Sequence, residues 1–248
     1  MFEKEDLEKL IGTKEDLHSD LVNHIDKDTP LGDFLRHPLC ISVYDESMNA
    51  YINASYLAKK AKADKAIKAK DWHEWVWLHE RPFRLDAFLF ISQDLPAKEY
   101  WSLLKDIWID AEGPSVNQDV WLQLFTRKNY PGRRKMMTGK ERRAYKEATS
   151  TLEINIYRGF GQNPDDEINR EQGMSWTLSY EKAEEFAKRF ITDIGTELDR
   201  DEEADIKPMI AEAVCKKEDV IAYFNSRDEQ EIVIDPANVR ILRTQEAL

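Results

Sequence analysis

The chain of 248 residues has only two cysteines, Cys40 and Cys215, too few and too far apart for a disulfide framework or a cysteine zinc cluster. Both read as buried, reduced thiols. Long hydrophobic runs are also missing. The longest, Ala87 to Ile91 and Val220 to Phe224, reach five residues, whereas a membrane helix needs roughly 20, so a transmembrane span and a membrane partner are excluded. The opening Met1-Phe2-Glu3-Lys4-Glu5-Asp6 is acidic where a secretory signal is basic and then apolar, so the expected location is cytoplasmic. There is no Gly-x-x-x-x-Gly-Lys phosphate loop, and Gly159 and Gly161 lack the third glycine and the strand-turn-helix setting of a dinucleotide fold. His73 and His79 share one face of neither a helix nor a strand with Glu74 or Glu80, so no metal is expected. A Gly-x-Ser-x-Gly elbow, internal repeats and Gly/Ser linkers are absent too.

What is present is a folded, charged protein. Charged residues make up 34% of the chain, against a usual share of about 25%. The 42% hydrophobic residues and seven Trp argue against a disordered polyanion. The length suits one large domain or two packed subdomains. The net charge of −12 is unevenly spread. Residues 56–72 hold six Lys against two Asp, and residues 126–146 hold nine Lys or Arg against Glu141 alone. Such polarity suits an anionic ligand or partner on the basic side, and the 126–146 run is a candidate nucleic-acid contact.

Hydrophobic periodicity predicts mostly helices first and strands later. Leu17, Leu21, Val22 and Ile25 follow a Thr13/Asp16 cap at helical spacing. Leu39 to Ile52 reads as a short hairpin, Ala54 to Ala69 as a helix, and the alternation of Trp75 and Trp77 as a half-buried strand. Helices are expected around Tyr100 to Trp108, from Ser115 to Leu124, and from the Thr138/Glu141 capping box to Ala148. Short β runs follow at 152–157, 174–178, 209–216, 220–224, 231–235 and 239–242, interrupted by one helix capped by Ser179. This order indicates an α+β fold.

Three segments of this second part carry chemistry. Tyr157-Arg158-Gly159 ends an apolar strand in a cation; its planar fork suits a pyrophosphate, and the glycine permits close backbone approach. In Gly173-Met174-Ser175-Trp176-Thr177 a strand aims Ser175 and Thr177 to one face, where two hydroxyls suit a ribose. In Glu229-Gln230-Glu231 a strand starting by Glu229 puts both carboxylates on one face, close enough to perturb each other. Such a pair can stabilise a developing oxocarbenium ion and activate a nucleophile.

In this order, aromatic-Arg-Gly, Gly-x-Ser-Trp-Thr followed by the Ala183 to Phe190 helix, and Glu-x-Glu-Ile-Val-Ile-Asp-Pro resemble the ADP-ribosyltransferase family in its Arg-Ser-Glu branch. The resemblance covers residues 150–243. It implies a core of two facing, roughly perpendicular antiparallel or mixed sheets holding NAD, backed by a mostly helical amino-terminal lobe. On this basis residues 1–112 form a Trp-rich target-selection lobe and 113–248 the NAD-binding catalytic domain. Arg158 would bind the NAD phosphates, and Gly159 would meet the nicotinamide amide through its backbone. Ser175 and Thr177 would shape the nicotinamide pocket, Glu231 would bond the ribose hydroxyl, and Glu229 would position or deprotonate the acceptor. A Glu at this earlier position resembles arginine-modifying enzymes. The implied activity is mono-ADP-ribosylation of a macromolecule, with protein ahead of nucleic acid. The alternatives are hydrolysis of NAD, an inactive NAD-binding protein and a DNA-binding regulator. The texture also looks like phage and prophage enzymes that serve as toxins, defence effectors or host-modifying factors, some of them held by an inhibitory partner protein. The acidic stretch Asp193 to Asp205 departs from the family pattern and suits an altered NAD-covering loop or a docking site. Ala50 to Ala58 resembles the start of a KilA-type DNA-binding module, although a packing or substrate-selection lobe is the preferred reading.

Overall fold

Lys70 adopts a left-handed conformation with φ 55°, which ends one helix, and the Asp71 side chain accepts the Glu74 N–H to start the next. This pair of signals shapes the first of two compact units, Met1–Glu112 and Gly113–Leu248. The computed structural model describes residues 10–30, 32–111, 117–162, 170–197 and 206–247, with side chains described to 189 in the segment ending at 197.

In the first unit a four-residue helix, α1 (Ser19–Val22), precedes a three-stranded antiparallel sheet of β1 (Ile25–Thr29), β2 (Gly32–His37) and β3 (Cys40–Val43). The helix expected through Ile25 stops early because Ile25 pairs with Leu35 across the sheet. Tertiary pairing here overrides a local helical pattern. The hairpin expected over 39–52 is also revised. Cys40–Val43 pairs back onto β2, and the Asp45 side chain accepts the Ser47 N–H to open a 3-10 turn leading into helix α2 (Asn49–Ala69). The Trp-rich segment is a helix, α3 (Trp72–Leu78), and not a strand. The Asp71 cap fixes its start, and its buried residues are Val76 and Leu78. Helices α4 (Arg84–Ile91) and α5 (Ala97–Asp110) complete the unit. Tyr100, Leu104, Ile107 and Trp108 bury one face of α5, as their spacing predicts. The residues that resemble a DNA-binding module lie in α2, where Ala50, Ile52, Asn53 and Tyr56 are buried.

The second unit begins with α6 (Gln118–Phe125), a 3-10 turn over Arg133–Met136, and α7 (Gly139–Ala148). Both halves of the Thr138/Glu141 capping box are formed. Then come β4 (Glu153–Gln162), β5 (Ser175–Thr177), α8 (Tyr180–Glu197), β6 (Lys207–Lys216), β7 (Val220–Phe224), β8 (Glu231–Ile234) and β9 (Val239–Glu246). The six strands form one antiparallel sheet in the order β7-β8-β5-β4-β6-β9. The resemblance implies two facing sheets in this unit. The described strands of this unit join in one ladder, and the three-stranded sheet belongs to the first unit. That ladder is narrow at its centre. β4 and β6 share ten registered pairs, whereas β4 and β5 meet through Tyr157↔Thr177 alone. Ile154, Ile156 and Phe160 on one face of β4 pack with Trp176, Ile232 and Ile234, while Tyr157 on the other packs towards Ala183 and Ala187 of α8. Among the described residues, no helix is long and apolar enough to cross a membrane. Residues 198–205 of the acidic stretch lie outside the described residues.

Candidate active site

Arg158 follows the single pair that joins β4 to β5, at the point where the two strands part. A carbonyl at such a seam has no ladder partner, and an arginine can supply the missing donor. Arg158 Nη1 donates to the Ser175 carbonyl at 2.7 Å, and its Nε donates to the Arg170 carbonyl at 3.2 Å. The residue is half-buried by surface area, but its guanidinium sits deep enough that desolvation lowers its pKa to about 10, with the Glu231 carboxylate opposing the shift. It therefore stays protonated at neutral pH.

Gly159 has a packing reason to be glycine. A Cβ there would lie 1.8 Å from the Ala183 carbonyl oxygen and 2.6 Å from the Ala187 nitrogen, both in the backbone of α8. The helix and strand approach each other as closely as a missing side chain allows. Gly173 plays a related part. A Cβ on it would lie 2.4 Å from the Arg158 guanidinium carbon, so the absence of a side chain makes room for the cation.

Across the seam, β5 pairs with β8 in the register Ser175↔Val233 and Thr177↔Glu231. This brings Ser175 Oγ to Glu231 Oε1, to which it donates at 2.7 Å. Glu231 is only 7% exposed, so its carboxylate is a buried charge facing a hydroxyl and a nearby guanidinium. Thr177 takes a different position. Its hydroxyl donates to the Glu229 carbonyl at 2.7 Å and accepts the Ser179 N–H at 3.0 Å, and so staples the segment before β8 to the start of α8.

Glu229 and Glu231 do not occupy alternate positions of one strand. β8 starts at Glu231, and Gln230 is left-handed with φ 49°, so Glu229 belongs to the preceding turn. The alternation expected from sequence fails because that turn contains two non-glycine residues at positive φ, Asp228 and Gln230. Glu229 pairs with Arg227 at 2.7 Å. Asn225 holds the turn by accepting the Gln230 N–H on its Oδ1 at 2.9 Å.

The structure thus gathers Arg158, Ser175 and Glu231 from three strands, with Gly159 behind Arg158 and Glu229 one turn away. Sequence reading passed over the supporting roles of Gly173, Gln230 and Asn225. Gly173 stood inside a quoted motif, while nothing in the sequence marks Asn225. Among the described residues no group of three or more His, Cys, Asp or Glu is placed to hold a metal ion. Chemically, a protonated guanidinium and a buried carboxylate linked by a hydroxyl suit a substrate that is anionic in one part and gains positive charge in another. The chain matches no protein-family model, no curated protein and no solved structure.

Proposed function

We propose that the second unit is an NAD-dependent mono-ADP-ribosyltransferase acting on a macromolecular acceptor, with an arginine side chain of a protein as the first reading. The observation that carries this is the convergence of Arg158, Ser175 and Glu231, residues far apart in sequence, through a 2.7 Å contact from Ser175 Oγ to Glu231 and a 2.7 Å contact from Arg158 to the Ser175 carbonyl. Its support is the coincidence of that cluster with the ordered motifs of the family it resembles.

On this reading Arg158 supplies positive charge to the diphosphate, and the Gly159 backbone faces the nicotinamide amide. Ser175 orients Glu231, whose carboxylate stabilises the positive charge that grows on the ribose as the bond from C1 to nicotinamide breaks. Nicotinamide leaves with the bonding electron pair. The acceptor nucleophile then bonds to C1 and releases a proton, for which Glu229, in the turn before β8, is the proposed acceptor. The core of two perpendicular sheets belongs to the same proposal, with the single-pair seam between β5 and β4 as its dividing line.

The test is incubation with labelled NAD and a cell lysate, followed by protease and nuclease digestion and by measurement of free nicotinamide. Glu231→Gln is expected to abolish nicotinamide release with the fold intact, and Glu229→Gln to spare hydrolysis more than transfer. Full turnover by Glu231→Gln would refute the mechanism.

A further inference from the structure

Several exposed cations of this acidic chain stand beside a carboxylate. Arg36 meets Asp26 at 3.0 Å, Lys188 meets Glu184 at 3.1 Å, Arg227 meets Glu229 at 2.7 Å, and Arg243 meets Glu212 at 2.5 Å. The first basic island shares this property in part, since Lys59 pairs with Glu80 and Lys60 with Asp20. The second carries six cations that do not. Arg133, Arg134 and Lys135 on the 3-10 turn, and Lys140, Arg143 and Lys146 on α7, are all exposed, and none forms an ion pair among the described residues.

These six side chains stand on a braced support. Met136, at 2% exposure, anchors the 3-10 turn. Ala144 and Tyr145 pack the opposite side of α7 against the sheet core. Arg142 Nη1 donates to the carbonyls of Arg134 and Met137, at 3.2 and 2.5 Å, and so ties turn to helix. Six cations against the nearby Glu141 and Glu147 leave an excess of like charge, which destabilises the folded unit and is relieved by an external polyanion. From this we infer that the Arg133–Lys146 surface docks the phosphodiester backbone of a nucleic acid. A cluster of Arg and Lys on one short turn and the helix after it suits the repeated phosphates of a nucleic acid, for which Arg offers bidentate donors. An acidic protein segment is the competing occupant, and the test includes it.

The helix that carries the surface is tied to the candidate site from its other face. Glu141, on the buried side of α7, accepts the Asn225 N–H at 3.4 Å, and Asn225 in turn holds Gln230, between Glu229 and Glu231. Resting on the NAD reading, this link makes a docked nucleic acid a second acceptor class beside protein arginine. Docking itself does not require NAD.

The experiment is fluorescence anisotropy of the full chain with labelled single-stranded DNA, duplex DNA and RNA of about 20 nucleotides, longer than typical single-strand site sizes. Each is titrated at several salt concentrations with no NAD present. With six phosphate contacts on duplex DNA, affinity is expected to fall about a thousandfold between about 50 and 200 mM salt. Arg133→Gln/Arg134→Gln/Lys135→Gln and Lys140→Gln/Arg143→Gln/Lys146→Gln are expected each to weaken binding and to flatten that fall to about fortyfold. Arg36→Gln serves as the control. Absence of binding to all three probes at low salt, or an unchanged salt slope in both triple variants, overturns the proposal. Equal displacement by polyglutamate also overturns it, in favour of an acidic protein. Because the assay contains no NAD, failure here leaves the transferase reading standing, and failure of nicotinamide release leaves this one standing.

Discussion

Gly159→Ala tests whether this glycine is required by packing before any ligand is considered. The added Cβ would lie 1.8 Å from the Ala183 carbonyl oxygen, and real contacts essentially never fall under 3.0 Å. The obstacle is helix backbone, so no rotamer change relieves it, and α8 has to retreat by about 1.2 Å, an overpacking whose usual range is about 1–3 kcal/mol. Ala183, Ala187 and Ile210 are 0% exposed where helix meets sheet, so a retreat of that size opens their contacts. The expected cost is about 3 kcal/mol, the top of that range. For a unit of this size it lowers the melting temperature by about 10 °C, using roughly 2.1 cal/mol/K per residue. Calorimetry and urea denaturation of the full chain without ligand read this directly. A loss under about 0.5 kcal/mol, within the ordinary scatter of surface substitutions, would refute the packing argument and leave Gly159 to be explained by a ligand alone.

Gly173→Ala meets the flexible end of Arg158 at 2.4 Å instead of backbone, so it is expected to swing the guanidinium off the Ser175 carbonyl with a smaller stability loss than Gly159→Ala. NAD titration is expected to show weakened binding, and undiminished affinity with the parent's stability would refute the arrangement. Thr138→Ala removes the acceptor of the Glu141 N–H and is expected to cost about 1 kcal/mol in urea denaturation; no measurable cost would show that the capping box contributes nothing. In the first unit, burial lowers the His37 pKa from 6.5 to about 4, with His24 adding to the effect. Asp20 opposes the shift, and Lys60 and His79 add smaller contributions to it. The unfolded chain therefore takes up the proton first as pH falls, so His37's contribution to stability is complete above about 6.5 and is lost progressively towards about 4. Urea midpoints between pH 7 and 4 are expected to flatten in His37→Gln, and an unchanged profile would refute the assignment.

Much of the local structure could be read from side chains that act on their own neighbours. Thr138 and Glu141 cap each other within one helical turn, the i, i+4, i+7 spacing of α5 marks its buried face, and Val220 to Phe224 is a strand with the bounds its apolar run suggests. These features depend on contacts a few residues apart, which a linear pattern contains. Where that reading failed, another contact won, distant in one case and local in the other. Ile25 left a helical pattern for Leu35. Trp75 and Trp77 alternate as in a strand, yet the Asp71 cap starts a helix through them.

The site shows the same division. The sequence by itself determined that Arg158, Ser175 and Glu231 belong to β-type segments and that residues 126–146 are basic. Only the tertiary structure decided that β5 lies between β4 and β8, which brings the Ser175 hydroxyl to Glu231, that Glu229 falls in a turn, and that Lys140, Arg143 and Lys146 of α7 stand exposed with no ion pair among the described residues. Strand order, register and ion pairing join residues tens of positions apart. No local propensity encodes them, and they are settled only when the sheet closes over its core.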